Sequence, residues 1–221
     1  MIIGLVGFAG SGKGTVGDIL VDRYDYSKLS FADAVKDATS VIFGWPRNLL
    51  EGDTDASRKF REEKDDFWSA RFGYDVTPRH MLQLMGTEAG REVFHTDLWV
   101  HTVERRIKYK QEWEFETNFV IPDVRFPNEI EAIRKMGGFV VRVSRGPEPE
   151  WYDAAMKANK TGDLNDIINA DVHFSEWAWI GQSFEYEISN NGSLAMLEGD
   201  VDHLLKVFTG PKNTAIIQNV A

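Results

Sequence analysis

Lys13 closes a glycine-rich run, Gly7-Phe8-Ala9-Gly10-Ser11-Gly12-Lys13-Gly14-Thr15, and that spacing suits one kind of chemistry, the holding of a phosphate. Glycines let the backbone curl until successive amide N–H groups point at a single anion. A lysine placed after the last loop glycine reaches the β and γ phosphates of a nucleotide. Taken alone, the run could be a turn of no chemical consequence, so its flanks decide. Ile2-Ile3-Gly4-Leu5-Val6 before it reads as a buried strand, and Val16, Ile19 and Leu20 after it share one helical face. Strand, glycine loop and helix together make a phosphate-binding loop, with the helix N-terminus adding positive partial charge. Gly10, Ser11, Gly12, Lys13, Gly14 and Thr15 are therefore the expected phosphate contacts.

Other side chains suit the same chemistry. Asp123 ends the apolar run Asn118-Phe119-Val120-Ile121 and can hold magnesium, or it can be a plain turn aspartate. Arg125 offers a bidentate, permanently charged grip on phosphate, or an ion pair with Glu129 or Glu131. Arg79 and Gln83 are one helical turn apart and share a face, with Arg91 about a third of the way round if the helix keeps its period. That face could take a phosphate and a base edge, or simply water. Trp99 could stack on a base. His95, His101 and His173 read as surface or packing histidines rather than metal ligands.

The elements that must position these groups alternate. After the loop helix come a short strand near residues 26–31, a helix from Ala32 to Phe43, and an aromatic, charged stretch over 47–76 that reads as a helical insertion. Thr77-Pro78 starts a helix expected to run to about Val93, followed by another over Asp97 to Lys110. The strand 118–121, a helix from Asn128 to Met136, the strand 139–143, a half-buried strand 184–188 and a helix from Ser193 complete the order. Residues 146–183 lack a clean period and are expected to hold a mobile lid plus loops; 211–221 reads as a poorly ordered tail. The pattern predicts an α/β fold with a parallel sheet and helices on both faces. Residues 1–210 are expected to form one domain, with an insertion at about 45–112. Ligands of such sheets bind beyond the carboxyl ends of the strands, where Asp33, Asp123, Arg125, Arg145 and Asn190 all fall.

Composition narrows the partners. The chain has 221 residues, 43% of them hydrophobic, enough for a full core. A net charge of -10 argues against a nucleic-acid polymer and for a small phosphate ester held by local amides and arginines. Cysteine is absent, which removes disulfides and thiolate metal sites. No apolar segment approaches the roughly 20 residues of a membrane span. No signal region precedes the first strand, so a cytoplasmic protein is expected. A homodimer is compatible with the sequence.

The Gly-Lys-Gly-Thr ending of the loop, with glycine where serine or threonine usually follows the lysine, resembles nucleoside monophosphate kinases. Further along stand Ser30-Phe31-Ala32-Asp33 with Lys36, and Arg79-His80-Met81-Leu82-Gln83-Leu84-Met85-Gly86-Thr87-Glu88 with Arg91 and Trp99. Pro122-Asp123-Val124-Arg125-Phe126 with Glu129, His173-Phe174-Ser175-Glu176, and Asn190-Asn191-Gly192-Ser193-Leu194 follow. This ordered set resembles the deoxynucleoside monophosphate kinases of tailed bacteriophages, from the first strand to the last helix. The resemblance implies a phosphate-loop kinase core with a monophosphate-binding insertion and a small lid. It implies transfer of the ATP γ-phosphoryl group, with magnesium, to a deoxynucleoside monophosphate in the cytoplasm of an infected host. It places Asp33, Lys36, Arg79, Gln83, Arg91 and Trp99 on the acceptor, and Thr15 and Asp123 on the metal. Lys13, Arg79, Arg91, Asp123 and Arg125 become the catalytic set, and Arg145, Asn190, Gly192 and Ser193 join the loop around ATP. Two features depart from the pattern. The Asp-Gly-Phe-Pro-Arg turn of ordinary adenylate kinases is absent, and 146–175 holds no arginine, so Arg142 or Arg145 would have to close the site. The rival readings are another small-molecule kinase on the same core, of dephospho-coenzyme A or shikimate type, and a nucleotide-gated binding module with slow ATP hydrolysis.

Overall fold

β1 (Ile2–Val6) is apolar along its whole length because it is buried on both faces at the centre of a parallel sheet. The computed structural model describes residues 1–170 and 172–210; the tail 211–221 lies outside the described residues. The chain divides into two compact units, Met1–Leu29 with Ile107–Ala221, and Ser30–Arg106.

In the first unit β1 is joined by β2 (Ser27–Lys28), β3 (Phe119–Ile121), β4 (Phe139–Ser144) and β5 (Tyr186–Ser189) in the order β2-β3-β1-β4-β5, all parallel. Alternation along the strands sorts the residues into two layers. Ile3, Leu5, Val120, Val141, Val143 and Ile188 pack against α1 (Lys13–Tyr24) and α9 (Leu194–Thr209). Gly4 points the other way, and a Cβ there would run into Ile133 of α7 (Pro127–Lys135). Glycine at this place lets α7 lie close against the sheet, and the unit is three-layered. The five expected strands are all present, though β2 is confined to Ser27–Lys28 of the 26–31 stretch. β3 leads to α7 through a turn organised by Glu129. Its carboxylate is 1% exposed and accepts the backbone N–H groups of Arg125 (2.7 Å) and Phe126 (3.1 Å). Glu129→Ala leaves both donors without that acceptor and is expected to lower stability by about 1–2 kcal/mol. That is a fall of roughly 3–6 °C in melting temperature, measured by calorimetry.

Residues 146–183 contain α8 (Tyr152–Thr161) and a buried knot, Trp177-Ala178-Trp179-Ile180. Asn159 of α8 donates from its amide to the Trp177 and Ile180 carbonyls, both at 2.9 Å. Four consecutive buried residues have neither a period of two nor of 3.6, so the knot gives no sequence signal; α8 is a helix where the sequence suggests a lid and loops without regular structure.

The second unit is helical: α2 (Asp33–Phe43), a 3-10 turn (Arg47–Leu50), α3 (Asp55–Glu62), α4 (Asp66–Phe72), α5 (Pro78–Leu84), a π-helix (Met85–Phe94) and most of α6 (Leu98–Tyr109). Its core is Trp45, Leu50, Val76 and Met81. Phe43 stacks on Trp45 with ring centroids 4.6 Å apart. The Trp45 indole N–H donates to Asp65, which also caps α4 by accepting from Trp68 N–H at 2.9 Å. Thr77 caps α5, with Pro78 in its first turn, as the sequence suggests. The expected single helix to residue 93 is instead α-helical only to Leu84 and π-wound beyond it. Gly90 explains part of the change: a Cβ there would overlap the indole of Trp99 and sit 2.7 Å from the Met85 carbonyl. The wider winding resets the phase of Arg91, so its displacement from Arg79 does not follow the 3.6-residue period.

Candidate active site

The phosphate loop is built by three glycines with positive φ, Gly7 (143°), Gly10 (77°) and Gly12 (101°). A Cβ on Gly7 would strike the Val143 carbonyl, and one on Gly12 would overlap the Asn190 amide. Gly12 is the N-cap of α1 and brings no side chain to the free N–H groups of the first turn, which leaves that end to a ligand. The Ser11 hydroxyl is buried with no hydrogen-bond partner, an orphan that a phosphate oxygen would satisfy. Lys13 folds back so that Nζ donates to the Gly7 and Phe8 carbonyls, both at 2.7 Å. Its pKa is pushed down to about 8, first by burial and then by the charge of Arg125, against the opposing pull of Glu176 and Asp123. An anion with several oxygens would restore what burial takes from this ammonium. The loop thus fits a polyphosphate.

Neighbouring elements fix the loop. The Phe8 ring packs edge-on against Trp151 (5.4 Å) and lies 5.0 Å from Trp179. The Asn190 amide donates to the Ser11 carbonyl at 2.9 Å, and Asn190 N–H to the Ser144 carbonyl at 2.8 Å. The Asn191 side chain accepts Gly146 N–H at 2.7 Å. The turn after β5, which includes Gly192 and the α9 cap Ser193, is thereby tied to the loop and to the end of β4. Gly14 and Thr15 are exposed on the first turn of α1, and Arg145 is exposed after β4. Arg142, by contrast, is packed: it pairs with Glu148 and lies over the rings of Tyr152 (5.8 Å) and Trp179 (5.6 Å). Asp123 is half-buried and Thr15 exposed; carboxylate and hydroxyl oxygens are hard donors of the kind magnesium prefers.

Arg125 does not pair with Glu129 or Glu131. Glu129 is occupied by backbone N–H groups, and Glu131 pairs with Lys135 one turn on at 2.8 Å. The partner of Arg125 is Glu176, with the Ser175 hydroxyl 3.4 Å away. Glu176 stands 51 residues further along the chain, and no local pattern marks such a pairing.

The remaining candidates belong to the helical unit. Arg79 and Gln83 are exposed one turn apart on α5, and Arg79 pairs with Glu62. Lys36 pairs with Glu51 at 2.5 Å. Asp33 accepts from Arg47 (3.3 Å) and Arg106 (3.1 Å), two arginines that sequence reasoning did not single out. Arg91 lies in the π-helix, its guanidinium 3.5 Å from the Thr96 carbonyl. Trp99 is 6% exposed, and its indole N–H donates to the Gly86 carbonyl at 2.8 Å. Its ring is packed on Gly90 rather than presented, so stacking on a base would require it to leave that glycine.

A parallel sheet whose first strand runs through a glycine loop into a helix, with a lysine folded over the loop, defines a phosphate-loop nucleotide-binding α/β protein. A family model for deoxynucleotide monophosphate kinase matches residues 53–156. A protein of Acanthamoeba polyphaga mimivirus, named provisionally as a deoxynucleotide monophosphate kinase, is 31% identical over 152 residues, 66% of this chain and 74% of its own. The deoxynucleoside-5'-monophosphate kinase of Escherichia phage T5 is 30% identical over 184 residues, covering 61% of this chain and 72% of its own. The chain belongs to the deoxynucleotide monophosphate kinase family. Among solved structures, TT1252 from Thermus thermophilus aligns over 95% of this chain and 98% of its own at 20% identity and a TM-score of 0.45. The dephospho-CoA kinase from Campylobacter jejuni aligns over 93% and 95% at 14% identity and a TM-score of 0.43. Among the described residues no helix is long and apolar enough to cross a membrane.

Proposed function

We propose that this protein transfers the γ-phosphoryl group of ATP to a deoxynucleoside monophosphate, giving the diphosphate and ADP. The observation that carries the reading is the phosphate loop, with its uncapped helix end, the orphaned Ser11 hydroxyl and Lys13 held by loop carbonyls. Loop amides from Gly10 to Thr15 and the Lys13 ammonium bind the ATP phosphates, and the turn Asn190–Ser193 with Arg145 borders the nucleoside. Lys36, Arg79 and Arg91 hold the acceptor phosphate, Asp33, steadied by Arg47 and Arg106, faces the acceptor's nucleoside, and Gln83 reads the base. Arg125 exchanges Glu176 for the equatorial oxygens of the transferred group. The acceptor phosphate oxygen is already a nucleophile, so no general base is needed; positioning and charge compensation suffice. Thr15 and Asp123 would hold magnesium, whose charge offsets that developing on the β and γ oxygens.

The test is ADP release from ATP across a panel of deoxynucleoside monophosphates. Turnover that depends on the acceptor supports the kinase; turnover indifferent to every acceptor would make the protein a nucleotide-gated hydrolase instead. Asp123→Asn is expected to shift the magnesium activation curve to higher concentration, by about tenfold, while leaving the acceptor KM in place. Superimposable magnesium titrations of the two proteins would return Asp123 to the role of a turn residue.

A further inference from the structure

One cluster of side chains has no part in this reaction. His95, which follows the π-helix, Asp97, just ahead of α6, and His101, on its first turn, bring one potential ligand atom each within 4.8 Å of one another. The two imidazole rings lie 5.6 Å apart, tilted by 41°. The sequence gives no reason to pick these histidines out, and both are exposed, as surface residues are. What their types do not convey is the convergence. We propose that His95, Asp97 and His101 form a binding site for a divalent first-row transition ion of the zinc class.

The backbone beneath the cluster is fixed. His95 N–H donates to the Gly90 carbonyl at 3.1 Å, Leu98 N–H to the His95 carbonyl at 2.9 Å, and His101 N–H to the Asp97 carbonyl at 2.9 Å. The last bond puts Asp97 and His101 four residues apart on one face of a helix, the spacing that lets two side chains share an ion. The backbone stays in place while the side chains adjust. Two nitrogens each about 2.0–2.1 Å from a tetrahedral zinc ion stand about 3.3 Å apart, so from a spread within 4.8 Å the side chains close by about 1.5 Å at most.

The ring of His101 is already oriented. Its Nδ1 lies 3.0 Å from a carboxylate oxygen of Glu104, which keeps the proton on Nδ1 and leaves the lone pair of Nε2 for a metal. A carboxylate behind a ligating histidine is the arrangement that fixes the tautomer and raises the basicity of the ligand. His95 is held differently: its Nδ1 accepts the Asp97 N–H at 3.0 Å. Coordination through either ring nitrogen gives that contact up, which lowers affinity by about fivefold and does not prevent binding.

Two imidazoles and one carboxylate suit zinc, nickel or copper, whereas magnesium prefers oxygen alone and keeps its waters. The site therefore differs in chemistry from the one proposed for phosphoryl transfer, and the two can fail independently. An ion here would tie the end of the π-helix, which carries Arg91, to the start of α6.

The experiment is zinc titration calorimetry of the full chain, free of any polyhistidine tag, in excess magnesium chloride. One zinc per chain is expected to bind, undisturbed by magnesium. His95→Ala and His101→Ala should each weaken it by at least ~10-fold, Glu104→Gln by about tenfold, and His203→Ala, on α9, not at all. Cobalt supplies a second readout, a visible absorption band that appears on binding and is lost in His101→Ala. The rings are exposed, so the variants should keep their fold, which circular dichroism checks. No saturable zinc binding, zinc displaced by magnesium, or binding unchanged in His95→Ala and His101→Ala would each overturn the proposal.

Discussion

Lys13→Ala is expected to lower turnover by at least about 100-fold while the protein stays folded. The ammonium is the one side-chain cation that the phosphate loop itself carries, and its bonds to the Gly7 and Phe8 carbonyls are contacts that ATP oxygens would take over. Removing it does not empty a core position, because Lys13 is only half-buried. Stability should hold or rise at neutral pH. The folded pKa, near 8, lies below the ordinary lysine value of 10.5. Between those values the unfolded chain holds more of this proton, so stability gains as pH rises through that window, and below it the cost of burying the charge is present in full. Alanine removes that cost. The same depression gives a second signature: in the parent protein ATP affinity should fall as pH climbs past about 8, because binding must then take up a proton, and this dependence should vanish in Lys13→Ala. A folded variant with near-normal kcat would remove Lys13 and the loop from the reaction.

Arg125→Ala should cost a similar factor, about 100-fold or more in kcat, since arginines that compensate transition-state charge in phosphoryl transfer are worth at least that. Lysine in its place keeps the charge and loses the planar fork, so Arg125→Lys should recover only part of the loss. The melting temperature should barely move, because the Arg125–Glu176 pair is partly exposed and such pairs contribute little. Glu176→Gln separates the two roles of that pair. If Glu176 only parks the guanidinium until nucleotide arrives, the variant keeps its kcat and binds ATP more tightly. Unchanged kcat in Arg125→Ala would leave the arginine as a surface ion pair.

The sheet and the loop were legible because their signals are local. Each of the five expected strand segments overlaps a strand, and Gly7, Gly10 and Gly12 take backbone angles that other residues resist. Thr77-Pro78 likewise announced a helix start that the structure has. What escaped depends on residues distant in sequence. The π-winding from Met85 reflects the fit of the Trp99 indole on Gly90, which no period of Met81 to Val93 encodes. The partner of Arg125 is Glu176 because Glu129, four residues away, is taken up by backbone donors. Arg47 and Arg106 meet at Asp33 across 14 and 73 residues respectively. The knot Trp177-Ala178-Trp179-Ile180 has no solvent-facing side, so it carries no alternation to read.

The bond from Asn190 to the Ser11 carbonyl spans 179 residues, and it bears on the order in which the protein can be made. A ribosome delivers the phosphate loop well before the turn that braces it. β1 meets its two neighbours, β3 and β4, only after residue 119 and residue 139 have been synthesised. Until then the apolar β1 has no strand on either side, and the loop lacks the contacts that brace it. Closing contacts of this length is slow. The brace on the loop is complete only when β5 and the turn after it dock.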